Sequence, residues 1–188
     1  MRSPQDVSTA VAKLYDTYPF PPDPLSDNPP PGYNWRWNWD TAYSFCTGQK
    51  PERHNIRILD AGCGSGVSTE YLVHLNPLAE VIGIDLSAGT LAIAQERCQR
   101  SGVADRVQFK QMSLFDADQL PGEFDLINSV GVLHHTADPI RGIQALAQKL
   151  APGGLLHIFV YAELGRWEIR LMQEAIALLQ GSQRGDYT

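Results

Sequence analysis

The spacing of apolar residues changes near residue 55 and divides the chain into two parts. From residue 56 onward, short apolar runs typical of strands alternate with longer segments whose apolar residues recur every three or four positions. Short apolar strands that alternate with helices form a parallel sheet covered on both faces. The pattern therefore predicts an α/β fold. The predicted strands are IRILDAG, EVIGIDLS, RVQFKQM, EFDLINSV and GLLHIFVYA.

Four segments of this second part predict helices. The clearest covers residues 138–154, where Asp138 is a capping residue and Pro139 takes the first helical position. The others cover residues 65–76, 87–102 and 165–180. The last helix has an apolar stripe, which predicts a face turned to the core or, if strands are missing from the sheet, an association surface. The members of this stripe are Ile169, Met172, Ile176 and Leu179.

Residues 1–55 predict a different organisation, with one helix and an extended segment. Ser3 is a suitable cap and Pro4 a suitable first residue for a helix that runs to about Tyr15. The following stretch, YPFPPDPLSDNPPPGYNWRWNWD (residues 18–40), is here called the proline-rich arm. Its prolines exclude a regular helix or a central strand, and its three tryptophans argue against a disordered linker. We expect an ordered arm that either covers an edge of the core or closes over a ligand.

Composition narrows the class of protein. The formal net charge of −6 argues against a nucleic-acid or membrane-surface partner. Cys46, Cys63 and Cys98 are scattered and odd in number, which predicts reduced thiols in a cytoplasmic protein rather than disulfides or a zinc site. No signal-peptide core and no apolar run long enough to span a bilayer is present in the sequence, and we expect no metal site.

The segment LDAGCGSGVS carries the main chemical signal. Its glycines fall in the first strand-to-helix turn, where a backbone without side chains can approach a ligand. A dinucleotide fingerprint would need a further glycine at Val67. Asp60 favours an ammonium group over a pyrophosphate, and Asp85, at the end of the second strand, favours ribose hydroxyls. A nucleoside with a free ribose and a positively charged tail satisfies both, and S-adenosylmethionine is such a molecule.

Four motifs in order, ILDAGCGSG, VIGIDLS, FDLINSVGVLHH and LAPGGLL, resemble the class I S-adenosylmethionine-dependent methyltransferases over residues 56–160. The resemblance implies a doubly wound, mostly parallel Rossmann-like sheet of strand order 3-2-1-4-5. It implies S-adenosylmethionine as cofactor and S-adenosylhomocysteine as product. The residues it implies for cofactor binding are Asp60, Gly62, Gly64, Gly66, Asp85, Leu86, Met112, Ser113, Leu114, Asn128 and Ser129.

The sequence departs from this family in two respects. Ser113 stands near the place where many members have an acid for the adenine amino group. The family's sheet usually ends with two further strands, whereas this sequence stops after the helix of residues 166–180, so we expect either a fragment of a longer protein or a trimmed fold. We therefore expect a first part of residues 1–55 and a methyltransferase domain of residues 56–188 that is incomplete at its C-terminus. The fifth strand would then have an open edge, which predicts self-association.

The sequence offers fewer candidate residues for the methyl-acceptor site than for the cofactor site. His134 and His135 follow the fourth strand, and one of them is a candidate general base, although a packed and a solvated histidine in a loop is the simpler interpretation. Residues placed to line an acceptor pocket are Tyr15, Tyr18, Trp35, Tyr161 and Trp167.

The main hypothesis for function is methyl transfer to a nucleophile on a small molecule or a protein. A non-catalytic module that binds the cofactor or a partner is the alternative, because fold does not fix function. The glycine spacing and Asp60 argue against a nicotinamide oxidoreductase.

Overall fold

A single parallel sheet of five strands organises the molecule, which the computed structural model describes over residues 4–181. Strand order is β3-β2-β1-β4-β5, and every pair is parallel. The predicted Rossmann-like order is confirmed. The strands are β1 (Arg57–Ala61), β2 (Glu80–Asp85), β3 (Val107–Gln111), β4 (Phe124–Val130) and β5 (Leu150–Phe159).

The strand order reverses between β1 and β4, which lie side by side at the centre of the sheet. Asp60 of β1 is in register with Gly83 of β2 on one side and with Asn128 of β4 on the other. In doubly wound sheets, ligands bind beyond the carboxyl ends of the strands at this reversal. A ligand site is therefore expected at the turns that follow β1, β2 and β4.

Alternate residues of the strands pack into two apolar cores, one on each face of the sheet. Leu59 and Ile127 pack in one core, while Ile58 and Leu126 pack in the other, and all four are at most 1% exposed. This alternation is the two-residue period of a strand buried on both faces. Trp39 of the proline-rich arm joins the second core at 4% exposure, so the arm is part of the packed body.

Six α-helices accompany the sheet within the described residues: α1 (Pro4–Thr17), α2 (Trp39–Thr47), α3 (Val67–Leu75), α4 (Ala88–Arg100), α5 (Pro139–Ala147) and α6 (Trp167–Gln180). Sequence analysis missed α2. Its signals were present, because Asn38 caps it by accepting a hydrogen bond from Thr41 N and Gly48 ends it with a positive φ of 72°. The Ser3 cap predicted for α1 lies outside the described residues.

The helix predicted over residues 138–154 is too long by about two turns. It ends at Ala147, and β5 begins at Leu150 instead of residue 154. The chain has already joined the sheet there, since Phe124 N donates to Lys149 O at 2.8 Å. A register shift along β4 then accommodates the segment with Gly153, whose φ is 75°.

The prediction that the stripe of α6 faces the core is wrong. None of the residues of α6 is buried: Met172, Ile176 and Leu179 of the stripe are more than half exposed, and Ile169 is half-buried. The neighbouring Leu171 is also more than half exposed. The described sheet ends at β5, so it offers no further strand for this helix to cover.

Candidate functional site

The turn between β1 and α3 holds three glycines in the left-handed region. Gly62, Gly64 and Gly66 have φ values of 82°, 53° and 82°. Gly62 N donates to Ile84 O at 2.8 Å, which lays the turn over the end of β2. Side chains rarely adopt such φ values, so the sequence spacing Gly-x-Gly-x-Gly suits this local conformation.

Space around the glycine turn is taken by the chain itself. A Cβ on Gly62 would collide with the Val132 side chain, and a Cβ on Gly64 would collide with the carbonyl oxygen of Phe20. A Cβ on Gly66 would lie 2.7 Å from a side chain of α4. The absence of side chains therefore lets three different elements close on the turn.

Asp85 connects this turn to the helix that follows β2. Its Oδ2 accepts a hydrogen bond from Gly64 N at 2.9 Å, and its Oδ1 accepts one from Ser87 N at 2.9 Å. The side chain is half-buried and lines a cavity. A carboxylate oxygen accepts more than one hydrogen bond, so Asp85 is available to the hydroxyl groups of a ligand.

Asp60 lies beneath the turn, outside the cavity wall, and is 1% exposed. Its carboxylate accepts hydrogen bonds from Ser68 Oγ at 2.7 Å, Thr69 Oγ1 at 2.6 Å and Asn128 Nδ2 at 2.8 Å. Burial raises the pKa of Asp60, and these donors oppose the shift. Asp60 thus fixes the first turn of α3 to β4, directly below the glycines.

Asn128 extends this network to the proline-rich arm. Its Oδ1 accepts from Trp37 Nε1 at 3.0 Å and from His157 Nδ1 at 2.8 Å, which assigns the proton of that imidazole to Nδ1. Burial lowers the pKa of His157, with a smaller effect from Arg36. Ser129 is fully buried, and its hydroxyl has no hydrogen-bond partner among residues 4–181.

The proline-rich arm crosses directly over the glycine turn. Phe20 O accepts from Ser65 N at 3.0 Å, and Pro21 O accepts from Ser65 Oγ at 2.6 Å. Just before the arm, the Asp16 carboxylate accepts from Ser87 Oγ at 2.5 Å. The arm thus contacts the glycine turn at Phe20 and Pro21 and the second core at Trp39.

Arg97 of α4 joins the arm to the turn from below and is 3% exposed. It donates to Ser65 O at 3.0 Å, to Asp23 O at 2.8 Å and to Pro24 O at 3.2 Å. The Glu70 carboxylate lies 3.8 Å away and balances its charge. Burial raises the pKa of Glu70, and a hydrogen bond with Ser101 and the neighbouring guanidinium act in the opposite direction.

These elements enclose a cavity of about 350 Å³, within the range of small-molecule sites. Predicted site residues that line it are Tyr15, Gly62, Gly64, Asp85, Leu86, Met112, Ser113, Leu114, His135 and Tyr161. Predicted site residues outside its wall are Tyr18, Trp35, Asp60, Gly66, Asn128, Ser129, His134 and Trp167. Tyr18 and Trp167 are about 60% exposed, and Trp35 packs on Phe45 with ring centroids 4.6 Å apart.

The β2–β3 end of the cavity is mainly apolar. Met112 N donates to Asp85 O at 2.9 Å, and Gln111 Nε2 donates to Leu86 O at 3.0 Å, which fixes the two turns against each other. Ser113 caps the short 3-10 helix that follows β3 by accepting from Phe115 N. Leu86 and Met112 thereby present apolar side chains next to the Asp85 carboxylate.

The β4–β5 end of the cavity is lined by rings, here called the ring wall (Tyr15, His135, Phe159 and Tyr161). His134 lies behind it and stacks on Tyr161 with centroids 4.2 Å apart. Burial lowers the pKa of both His134 and His135, and the Arg166 guanidinium lowers each further. Both imidazoles are therefore neutral near pH 7. Burial also raises the pKa of Tyr15, which stays protonated.

Sequence reasoning missed several residues of the cavity wall. They are Ser8, Val11, Phe20, Pro21, Trp37, Cys63, Val67, Ser68, Ile84, Phe115, Val130, Gly131, Val132, Thr136 and Phe159. The aromatic density of the arm was a usable signal for the arm as a whole. It did not distinguish Trp37, which faces the cavity, from Trp35, which does not.

Residues 4–181 have neither a cluster of metal-ligating side chains nor a membrane-spanning helix. No group of three or more His, Cys, Asp or Glu side chains in that range is placed to hold a metal ion. No helix in that range combines the length and the apolar character needed to cross a membrane.

Comparison with known proteins identifies the family. A sequence profile described as "Methyltransferase domain" matches residues 58–154, which is more than half of the chain. An uncharacterized protein of Synechococcus sp. is 71% identical over 184 residues, covering 98% of this chain and 44% of that protein. A ubiquinone biosynthesis O-methyltransferase of Methylococcus capsulatus is 38% identical over 99 residues, covering 52% of this chain and 40% of the enzyme. This chain thus spans less than half the length of either relative.

Among solved structures, a S-adenosylmethionine-dependent methyltransferase from Geobacter sulfurreducens in complex with S-adenosylhomocysteine superimposes with a TM-score of 0.50. It is 28% identical in sequence, and the match covers 64% of this chain and 46% of that one. Its bound product is what remains of S-adenosylmethionine after the methyl group has left. With its glycine turn, its Asp85 and its strand order, the chain belongs to the class I S-adenosylmethionine-dependent methyltransferases.

Proposed function

We propose that this chain transfers the methyl group of S-adenosylmethionine to a nucleophile on a small molecule held beneath the proline-rich arm. The observation that carries the proposal is one cavity with two chemically different ends. One end has the Asp85 carboxylate and apolar side chains, as a nucleoside requires, and the other has rings and a neutral imidazole. The overlying arm favours a small molecule over a protein as the acceptor.

The residues present fit the cofactor. Asp85 would accept hydrogen bonds from the ribose hydroxyls, and Leu86 and Met112 would contact the adenine, beside Ser113 and Leu114. The glycine turn would lie under the methionine part. Backbone at Asn128 and Ser129 would face the amino group, with Asp60 holding Asn128 from below. When bound, S-adenosylmethionine supplies an electrophilic methyl group on a positively charged sulfur.

The chain's own task is to exclude water and to align the acceptor, which contributes several kcal/mol in enzymes. Phe20 and Pro21 lie over the glycine turn, and its Gly62 and Gly64 are only partly exposed. His135 lines the cavity in its neutral form and can take a proton from an acceptor hydroxyl. His134, packed on Tyr161 behind the wall, would position that ring.

The experiment begins with calorimetric titration of the chain with S-adenosylmethionine. Asp85→Ala should weaken binding by about 1.5–3 kcal/mol, roughly a factor of ten to a hundred, because hydrogen bonds to a charged group are lost. Asp105→Ala, which removes an exposed acid far from the cavity wall, is the matched control and should bind normally.

Turnover then separates an enzyme from a non-catalytic binding module. S-adenosylhomocysteine should form when the chain is supplied with an acceptor, and His135→Gln should slow its formation while S-adenosylmethionine still binds. Normal affinity in Asp85→Ala would contradict the proposed cofactor site. Tight cofactor binding without turnover on any acceptor in a cell extract would favour the binding module.

A further inference from the structure

Within the ring wall, Phe159 and Tyr161 lie on the β5 side of the cavity, whereas Asp85 lies on the β2 side and Tyr15 reaches between them. Asp85 ends β2, whereas Phe159 ends β5, and these strands are three positions apart in the sheet. At about 4.8 Å between neighbouring strands, their ends are separated by roughly 14 Å. A nucleoside held at Asp85 therefore leaves the ring wall to another molecule, the methyl acceptor.

The rings of the wall are arranged edge to face. Tyr15 and His135 have centroids 6.1 Å apart at 78°, and His135 and Tyr161 have centroids 6.4 Å apart at 89°. Phe159 and Tyr161 continue the array at 6.1 Å and 89°. Edges and faces of aromatic rings attract each other because their charge distributions are opposite. A flat aromatic ring would extend this array in a way that a saturated ring cannot.

Charge at this end selects against a cationic acceptor. The Arg166 guanidinium lies over the Tyr161 ring with its central carbon 3.9 Å from the centroid. The acid of the described cavity wall, Asp85, lies on the β2 side of the sheet. An ammonium group beside Arg166 would be repelled, whereas an oxygen that gains negative charge would be stabilised. The Tyr161 ring already holds the Arg166 guanidinium, so it does not offer that face to a cationic ligand.

We propose that the acceptor is an aromatic compound with an acidic, phenolic hydroxyl, bound on the ring wall with that hydroxyl directed to His135. The inference rests on the proposed methyltransferase function. The hydroxyl proton passes to His135, and the oxygen forms a bond to the methyl carbon. The electron pair of the broken carbon–sulfur bond stays on sulfur and leaves neutral S-adenosylhomocysteine.

Three bicyclic probes of similar size test the acceptor class. They are 2-naphthol, its saturated analogue decahydro-2-naphthol, and 2-(aminomethyl)naphthalene, which keeps the rings but carries an ammonium group. Each is titrated calorimetrically into the chain saturated with S-adenosylhomocysteine. We expect 2-naphthol to bind about fivefold or more tightly than either other probe, the order of magnitude that ring contacts contribute. With S-adenosylmethionine, mass spectrometry should detect 2-methoxynaphthalene.

Substitutions at Tyr161 test whether the ring wall causes the preference for 2-naphthol. Tyr161→Leu should abolish the preference for 2-naphthol over decahydro-2-naphthol, and Tyr161→Phe, which keeps the ring, should retain it. S-adenosylhomocysteine should bind both variants normally. Equal affinity for the three probes, or an unchanged preference in Tyr161→Leu, overturns the acceptor proposal while cofactor binding still supports the methyltransferase. A chain that does not bind S-adenosylhomocysteine overturns both.

Discussion

At Gly64 the missing side chain makes room for the chain's own backbone. Sequence reasoning assigned this glycine to close approach by a ligand. The position of its Cβ is instead taken by the carbonyl oxygen of Phe20, which also accepts the hydrogen bond from Ser65 N. A substitution at Gly64 would therefore displace the proline-rich arm before it meets any ligand.

Gly64→Ala should detach the arm from the glycine turn, and Gly102→Ala provides a matched control. Gly102 has a φ of 74° and open space around its Cβ, whereas Gly64 has a φ of 53° and a collision. Both variants should lose about 1 kcal/mol of unfolding free energy through backbone strain. Only Gly64→Ala should accelerate hydrogen exchange at the Ser65 amide. Equal Ser65 protection in the two variants would show that the arm tolerates the added methyl group.

Residues whose place in the fold follows from their own strand or turn could be predicted from the sequence. Asp85 and the glycines belong to this group, because a strand end and a tight turn are local features. Trp37 and Arg97 do not, since each acts on residues distant in sequence. Trp37 bonds to Asn128, 91 residues away, and Arg97 bonds to Asp23, 74 residues away. No periodicity in one sequence encodes such pairings.

Among the elements, α4 contacts the arm through the buried side chain of Arg97 and, more loosely, through an ion pair of Arg100 with Asp27 at 3.9 Å. Arg97 serves two functions, because it bonds to carbonyls of the arm and turn and balances the buried Glu70. Arg97→Met should cost about 3 kcal/mol of unfolding free energy, since it leaves a buried carboxylate without its partner. Denaturant unfolding would measure this loss, and limited proteolysis within residues 18–40 would measure release of the arm.

A double variant separates the two functions of Arg97. In Arg97→Met with Glu70→Gln the buried charge is gone, so most of the unfolding free energy should return while the arm stays sensitive to protease. If the double variant restores protease resistance as well, Arg97 acts through charge balance alone. If Arg97→Met leaves the arm protected, the carbonyl contacts do not hold it.

The boundaries of the helices show which features a local sequence pattern does not predict. The five strands and their order followed from apolar runs and from the family resemblance. Helix α2 was missed because the prolines before it suggested an extended chain throughout. Helix α5 was drawn too long, because Lys149 joins the sheet through a bond to Phe124 that no helical spacing reveals. The apolar stripe of α6 is typical of a helix packed on a core. The described sheet ends at β5, however, so α6 has no strand to cover and stays exposed.

At the scale of the whole molecule, the exposed face of α6 and the edge strand β5 are the apolar surfaces of the described residues that favour association with another chain. β5 borders β4 on one side only, and Phe159 and Val160 next to that edge are about half exposed. Pro152 interrupts the first part of β5, whereas the last part, residues 155–159, has neither proline nor a formally charged residue and is a template for another chain. Contiguous apolar surface on α6 adds to the same tendency.

We therefore predict that the 188-residue chain self-associates, with weight-average mass rising over a concentration series in sedimentation experiments. Leu171→Glu combined with Leu179→Glu should shift the chain toward monomer, because charge on α6 opposes burial of that face. Leu78→Glu is the control, since Leu78 is 66% exposed, comparable to Leu171 at 52%, and lies in the loop before β2. A monomer at every concentration would contradict the prediction. An equal effect of Leu78→Glu would mean that association does not use α6.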